Sequence, residues 1–175
     1  GGYGTTGTVT LADPAPVGGQ VVALSSSSVA LGVPASVTVA AGQTAATFQA
    51  TSTAVTTNAN VTVTATANGN SVTGTVSVRL SQPTSVTFAP AVVAGKVAST
   101  GTISLATPAP AAGLVVTVAS SNAIVAKAAA ATVKVLPGAT TATFAVATTI
   151  VGTDTAVTFT AAANGASANG VLTVQ

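Results

Sequence analysis

The chain has 175 residues, with four Lys and Arg against two Asp, a net charge of +2, and no His, Cys or Met. This excludes a basic patch for nucleic acid and disulfide or thiolate chemistry, and with Glu also missing it removes most of the usual general bases. Mean hydropathy is positive at +0.72, yet apolar runs such as Ala111 to Val116 fall far short of the roughly 18 residues of a membrane-spanning helix.

From the N-terminus, period-two alternation of β-branched residues predicts strands. Val9 and Leu11 alternate with Thr8 and Thr10. A proline-rich loop, Asp13 to Gly19, leads to a second inward pair, Val22 and Leu24. Val37 and Val39 run into a turn at Ala41-Gly42-Gln43, and Ala46, Phe48 and Ala50 return. Val61, Val63, Ala65 and Ala67 then face one way, and Thr62, Thr64 and Thr66 the other. Asn68-Gly69 is a tight-turn signal, and Val76 and Val78 close the pattern. After Arg79, residues 80–84 with Gln82-Pro83 read as a linker. Ser85 to Phe88 reads as a strand whose buried face is Val86 and Phe88.

The pattern then starts again. Gly7, Pro14, Pro16, Gly19 and Val22 recur 94 residues later as Gly101, Pro108, Pro110, Gly113 and Val116. Gly42, Phe48, Val61, Asn68, Gly69, Gly74 and Val78 recur 96 residues later as Gly138, Phe144, Val157, Asn164, Gly165, Gly170 and Val174. A glycine or proline at a fixed offset marks a turn with a fixed backbone requirement, and tandem copying is the signature of a modular array. A repeat of roughly 95 residues can bury a core of its own. Two antiparallel sandwiches are therefore expected, at 1–79 and 80–175.

The second copy supplies Ile103 and Leu105, Val116 and Val118, Val133 and Val135, Phe144 and Val146, Val157 and Phe159, and Leu172 and Val174. Ala126 to Ala131 is alanine-rich but aligns with the loop and strand around Gly32 to Val37, so it is expected to be non-helical. The strand at Ser85 to Phe88 opens the second domain. It has no counterpart in the first, because Gly1 aligns with Gly95. The first domain is therefore expected to lack its first strand. Position 1 is not Met and no signal-like segment is present, so the chain reads as a processed product or a segment of a longer one.

The runs Thr6 to Leu11, Pro14 to Gly19, Pro34 to Val39 before Ala41-Gly42, Ala46-Thr47-Phe48, Val61 to Ala65 and Asn68-Gly69 resemble tandem bacterial immunoglobulin-like repeats, over nearly the whole chain. The resemblance implies two tandem immunoglobulin-like antiparallel β-sandwiches of Greek-key type, in an extracellular or surface-attached stalk, fibre or adhesive array. It carries no catalytic residues with it.

Little else in the chain points to chemistry. Asp13 and Asp154 read as turn or cap residues and are not equivalent between copies, so neither a repeated calcium site nor a catalytic centre is expected, and no cofactor. Ser120 or Ser121 with Lys127 would need a buried, deprotonated lysine to act as a nucleophile pair. A Lys–Asn cross-link would need a buried acid that the chain can hardly supply. The Thr62, Thr64, Thr66 ladder resembles an ice-binding face, but it degrades to Thr158, Thr160 and Ala162 in the second copy, and Thr is a favoured exposed strand residue. Trp is absent and all four Phe are expected to point inward, which weakens a sugar-stacking module.

Asn60-Val61-Thr62 is an N-glycosylation sequon, and the many Ser and Thr offer sites for O-linked sugars. Two functions stay open. One is a structural, non-catalytic stalk or filament protein whose partners are copies of itself or neighbouring repeats, joined head to tail, without nucleic acid or membrane insertion. The other is an adhesin module that binds a surface glycan or protein through loops such as Ala12 to Gly19 or Val151 to Thr155. For the first, an incomplete domain would accept a strand equivalent to Ser85 to Val93, with Ser85, Val86, Phe88, Val92 and Val93 as the donor or interface positions.

Overall fold

The computed structural model describes residues 2–175. Among these there are sixteen strands and no helix, in two compact units, Gly1–Leu80 and Ser81–Gln175. The first contains β1 (Gly4–Thr10), β2 (Gln20–Ser26), β3 (Leu31–Gly32), β4 (Ser36–Val39), β5 (Ala45–Ser52), β6 (Ala59–Ala67) and β7 (Asn70–Val78). They form one sheet in the order β1-β5-β3 and another in the order β4-β2-β6-β7.

The second unit contains β8 (Pro83–Ala89), β9 (Val92–Val93), β10 (Ser99–Leu105), β11 (Leu114–Ser120), β12 (Ala126–Ala128), β13 (Thr132–Val135), β14 (Thr141–Thr148), β15 (Thr155–Ala163) and β16 (Ala166–Val174). Its sheets run β12-β14-β10-β8 and β13-β11-β15-β16-β9. Consecutive strands β10 and β11 sit in different sheets, β14 returns to β10, and β15 returns to β11. That exchange is the immunoglobulin-like Greek key. The first domain repeats it with β1, β2, β5 and β6, and among the described residues it has no strand equivalent to β8 or β9.

Local chemistry sets these elements. Asn68 and Gly69 have φ of 49° and 78°, and Asn164 and Gly165 have 50° and 75°. Two consecutive positive φ values give the hairpin turn that matches strand twist, and Asn-Gly is the pair that tolerates it best. The register places Gly7 opposite Phe48 and Gly101 opposite Phe144. Each ring lies over its glycine, where a Cβ would collide with the ring carbons Cζ, Cε1 and Cε2. The alanine-rich run contributes β12, paired with β14. Alternation and cross-strand pairing prevail there over the helical preference of alanine.

The stretch read as a linker is structured from Ser81 onward. Ser81 is buried and donates its Oγ hydrogen to the carbonyl of Pro108. Gln82 accepts from the amide of Ala106 at 2.9 Å, and Pro83 already belongs to β8. These polar contacts, absent from the apolar alternation, extend the second domain backwards.

One continuous core fills the second domain, with Ile103, Val116, Val157, Phe159, Leu172 and Val174 completely buried. Phe88, Phe144 and Phe159 form an aromatic trio with centroids 5.2–6.1 Å apart. The first domain holds two smaller clusters, one around Leu31, Ala50 and Val61 and the other around Val9, Val22 and Val39. Of the residues expected in the cores, Val9, Val61, Val63, Ile103, Leu105, Phe144 and Phe159 are buried. Leu11, Phe48 and Phe88 face inward but are only partly buried. For Leu11 and Phe48 the cause is an open side of the first domain.

Candidate functional site

In the first domain β1 pairs only with β5 and β7 only with β6, so both strands are sheet edges. The second domain covers the same two edges with its opening segment. β8 runs antiparallel to β10, from Thr100 opposite Ala89 to Ile103 opposite Val86. The chain then crosses to the other sheet, where β9 pairs in parallel with β16, Thr173 opposite Val92 and Val174 opposite Val93. The amides of Thr173 and Gln175 donate to Ala91 and Val93 at 3.0 and 2.9 Å. One segment thus closes the whole side of the sandwich.

The first domain has a trough in this place. One cavity of about 510 Å³ is walled by Thr5–Thr10 of β1 and Val72–Ser77 of β7, with Leu24, Phe48, Ala50, Val63 and Ala65 forming its floor. A second cavity of about 410 Å³ continues past Leu11, Ala12, Asp13 and Pro14 to Asn68 and Asn70. The two share Val9, Thr10, Ala65 and Val72 and are one trough. Its floor is apolar and its rims carry backbone groups of edge strands, the combination that binds an added strand.

Equivalent positions record the missing cover. Val72 is 67% exposed, whereas its counterpart Ala168 is 8% exposed. Val76 is partly exposed, and its counterpart Leu172 is completely buried. Gly170 lies directly against the backbone carbonyl of Val86, with no room for a Cβ, while a Cβ on Gly74 would meet nothing within 4 Å. At the far end, Ser81 shares a 3.2 Å hydrogen bond with Thr107, and Asn164 donates to the Ser81 carbonyl at 2.8 Å. The first domain has Asp13 in place of Thr107, and Asn68 donates instead to Gln20 at 3.0 Å.

Ser85, Val86, Phe88, Val92 and Val93 all lie in the second domain's own closing segment. Val86 and Val93 are buried, Ser85 and Phe88 partly so, and Val92 is exposed. They close their own domain through β8 and β9. Asn60 is exposed on β6, and its Oδ1 accepts from Ser77 at 2.8 Å and Arg79 at 3.2 Å.

The remaining polar candidates are dispersed. Asp13 is exposed in the first domain, and Asp154 accepts a 3.4 Å hydrogen bond from Gln175 in the second. No three of His, Cys, Asp and Glu come together among the described residues. Ser120 donates to the carbonyl of Ala126 at 2.7 Å, and Ser121 accepts from the amide of Thr158 at 3.0 Å. Both hydroxyls thus tie down turns, and Lys127 is exposed on β12. The loops at 12–19 and 151–155 contain no aromatic and no cationic residue. Two positions important to the trough escaped the sequence reading of sites, Gly74 and Ser81. The recurrence of Gly74 as Gly170 was the available signal for the first. Nothing in the sequence distinguished Ser81 from its neighbours.

No family model and no curated protein matches the chain. Among solved structures it is similar to the D0-D1 domain of intimin, at 16% identity and TM-score 0.40 over 99% of this chain and 88% of that one. It is similar to the D00-D0 domain of intimin at 14% identity and TM-score 0.44, over 98% of this chain and all of that one. The Yersinia pseudotuberculosis adhesin InvE matches at 21% identity and TM-score 0.46, over all of this chain but only 55% of that one.

Proposed function

We propose that this chain is a non-catalytic structural module of an extracellular stalk or fibre, and that its first domain is completed by a strand from outside these 175 residues, supplied by the preceding stretch of the same polypeptide or by a neighbouring chain. One observation carries the reading. The trough over β1 and β7 is open in the first domain, and the same trough in the second domain is filled by residues 81–93. An edge of this kind costs a soluble domain unpaired backbone groups and uncovered apolar surface, and proteins usually protect it with charge or Pro. Here six charged residues serve the whole chain, and the β1 run Gly4–Thr10 contains none.

Strand addition satisfies the backbone groups and supplies the missing half of the core in one step. Residues 81–93 already close the second domain, so the donor is a further copy of that segment. Where it comes from a neighbouring chain, the contacts run head to tail and propagate into a fibre when the rotation does not close. The abundance of small β-branched and hydroxyl side chains suits a secreted, repeated module.

The test uses the 175-residue chain and a synthetic peptide copying residues 81–95. The peptide is expected to bind the chain one to one and to slow hydrogen exchange along β1 and β7, leaving β10 and β16 unchanged. Failure to bind, or protection elsewhere, overturns strand acceptance. Imaging of the native material is expected to show continuous fibres, and isolated closed monomers would overturn the head-to-tail assembly.

A further inference from the structure

We infer, resting on strand acceptance as read above, that the first domain selects its donor: a strand of fixed direction whose backbone presses on Gly74 and whose leading residue carries a hydrogen-bond donor or a positive charge for Asp13. The direction and register come from the duplicate site. The 94-residue offset between the repeats places the donor antiparallel to β1, its Phe88-like residue opposite Gly7 and its Val86-like residue opposite Val9, as Gly101 and Ile103 face Phe88 and Val86. The segment then pairs in parallel with β7 at Ser77 and Val78, as Thr173 and Val174 pair with β9.

Gly74 is the first argument. Glycine in a strand interior is unfavourable and marks a close approach of another backbone. Within this domain nothing approaches it. At Gly170, where the closing segment is present, the Val86 carbonyl occupies the space a Cβ would need. Gly74 is therefore suited to a strand that lies outside the described residues. The partner's aromatic residue has room as well, because Val63 stands where the second domain has Phe159, so the floor beside Phe48 is one ring emptier.

Asp13 is the second argument. The two acceptors preserve the loop around them. Ala15 and Ala109 make the same paired backbone bonds, to residues 42–43 and 138–139, so residue 13 sits where Thr107 sits. The single hydroxyl hydrogen of Ser81 goes to the Pro108 carbonyl, so Thr107 donates to the Ser81 oxygen. A carboxylate in that place accepts hydrogen bonds only. It favours Lys or Arg on the incoming residue over a hydroxyl, whose one hydrogen is already directed at the adjacent proline carbonyl, and it repels an acid. In a chain with only two acidic residues, a carboxylate at the mouth of an uncharged trough is a selective feature. Specificity arises from such a repulsive element as much as from attraction.

The experiment compares the 81–95 peptide with its Ser81→Lys and Ser81→Glu variants on the wild-type chain. The expected order is Lys tighter than Ser, and Ser tighter than Glu, each step about two- to fivefold, as for a partly exposed charge contact. The order should collapse in about 1 M salt, where the screening length is only about 3 Å, and in Asp13→Thr, which copies the second domain. Gly74→Val should leave the melting of the free chain nearly unchanged while lowering peptide affinity at least tenfold. Equal binding of the three peptides overturns the charge selection, and unchanged affinity in Gly74→Val overturns the register, with strand acceptance intact in both cases. If none of the peptides binds the wild-type chain, strand acceptance fails and this inference falls with it.

Discussion

Phe48 and Phe144 occupy the same place in two copies of one fold, each lying over a glycine of the neighbouring strand. Phe144 is 7% exposed and touches Phe88 and Phe159. Phe48 is only partly buried and borders the open trough. The difference owes little to the ring or its own strand, because the strands around it correspond. It has two sources: the segment of about a dozen residues that closes the second domain over its ring, and Phe159, which packs on Phe144 where the first domain has only Val63. Burial at a given position in a sandwich is thus set by what lies over it as much as by the strand that carries it. This also explains why the second domain has one continuous core and the first has two separate clusters.

The comparison is easiest to break at the two rings. Phe144→Ala should cost about 3–5 kcal/mol, the usual range for deleting a buried aromatic. Phe48→Ala should cost about half of that, because much of the space it leaves already opens to the trough. Calorimetry that resolves the two domain transitions checks this. About 4–8 °C of shift per kcal/mol is expected for domains of this size. Equal losses at the two positions would mean that the trough is closed in solution by some other part of the molecule.

Next in size is the glycine pair. Gly170→Ala forces a Cβ into the Val86 carbonyl, and with backbone as the obstacle the strand must shift, at a cost of about 1–3 kcal/mol. Gly74→Ala meets open space and should stabilise the first domain by up to about 1 kcal/mol, by restricting the unfolded chain. The two substitutions are expected to have opposite signs. Loss of stability in both would show that β7 is covered even in the free chain.

Much of this is legible in the sequence. Period-two alternation located the long strands, Asn-Gly marked both hairpins, and the offset between the copies exposed the missing strand. Depth of burial was not legible, because alternation reports which face a residue takes and not what lies over it. Leu11 and Phe48 point inward yet remain half open for that reason. Ser81 to Thr84 looked like a linker because its role is polar and long-range, through Pro108, Ala106 and Asn164. Gly74 recurred visibly as Gly170, but only the Val86 carbonyl gives that recurrence a physical cause.

The smallest expected effect is a symmetric one, and it sharpens the comparison by bounding it. The hairpins β6–β7 and β15–β16 turn through Gly69 and Gly165, with φ of 78° and 75°. A Cβ added to either meets nothing, so sterics with neighbours contribute no difference between the copies. What remains is the cost of holding an alanine in the left-handed region, about 1 kcal/mol in each case. Gly69→Ala and Gly165→Ala should therefore lower their respective domain transitions by the same few degrees. The contrast at the phenylalanines and at Gly74 and Gly170 would then belong to the trough alone. A clearly larger loss at Gly69 would mean instead that the whole first domain is looser and that its edge strands are exposed by general softness. The argument for a specific strand acceptor would then lose its basis.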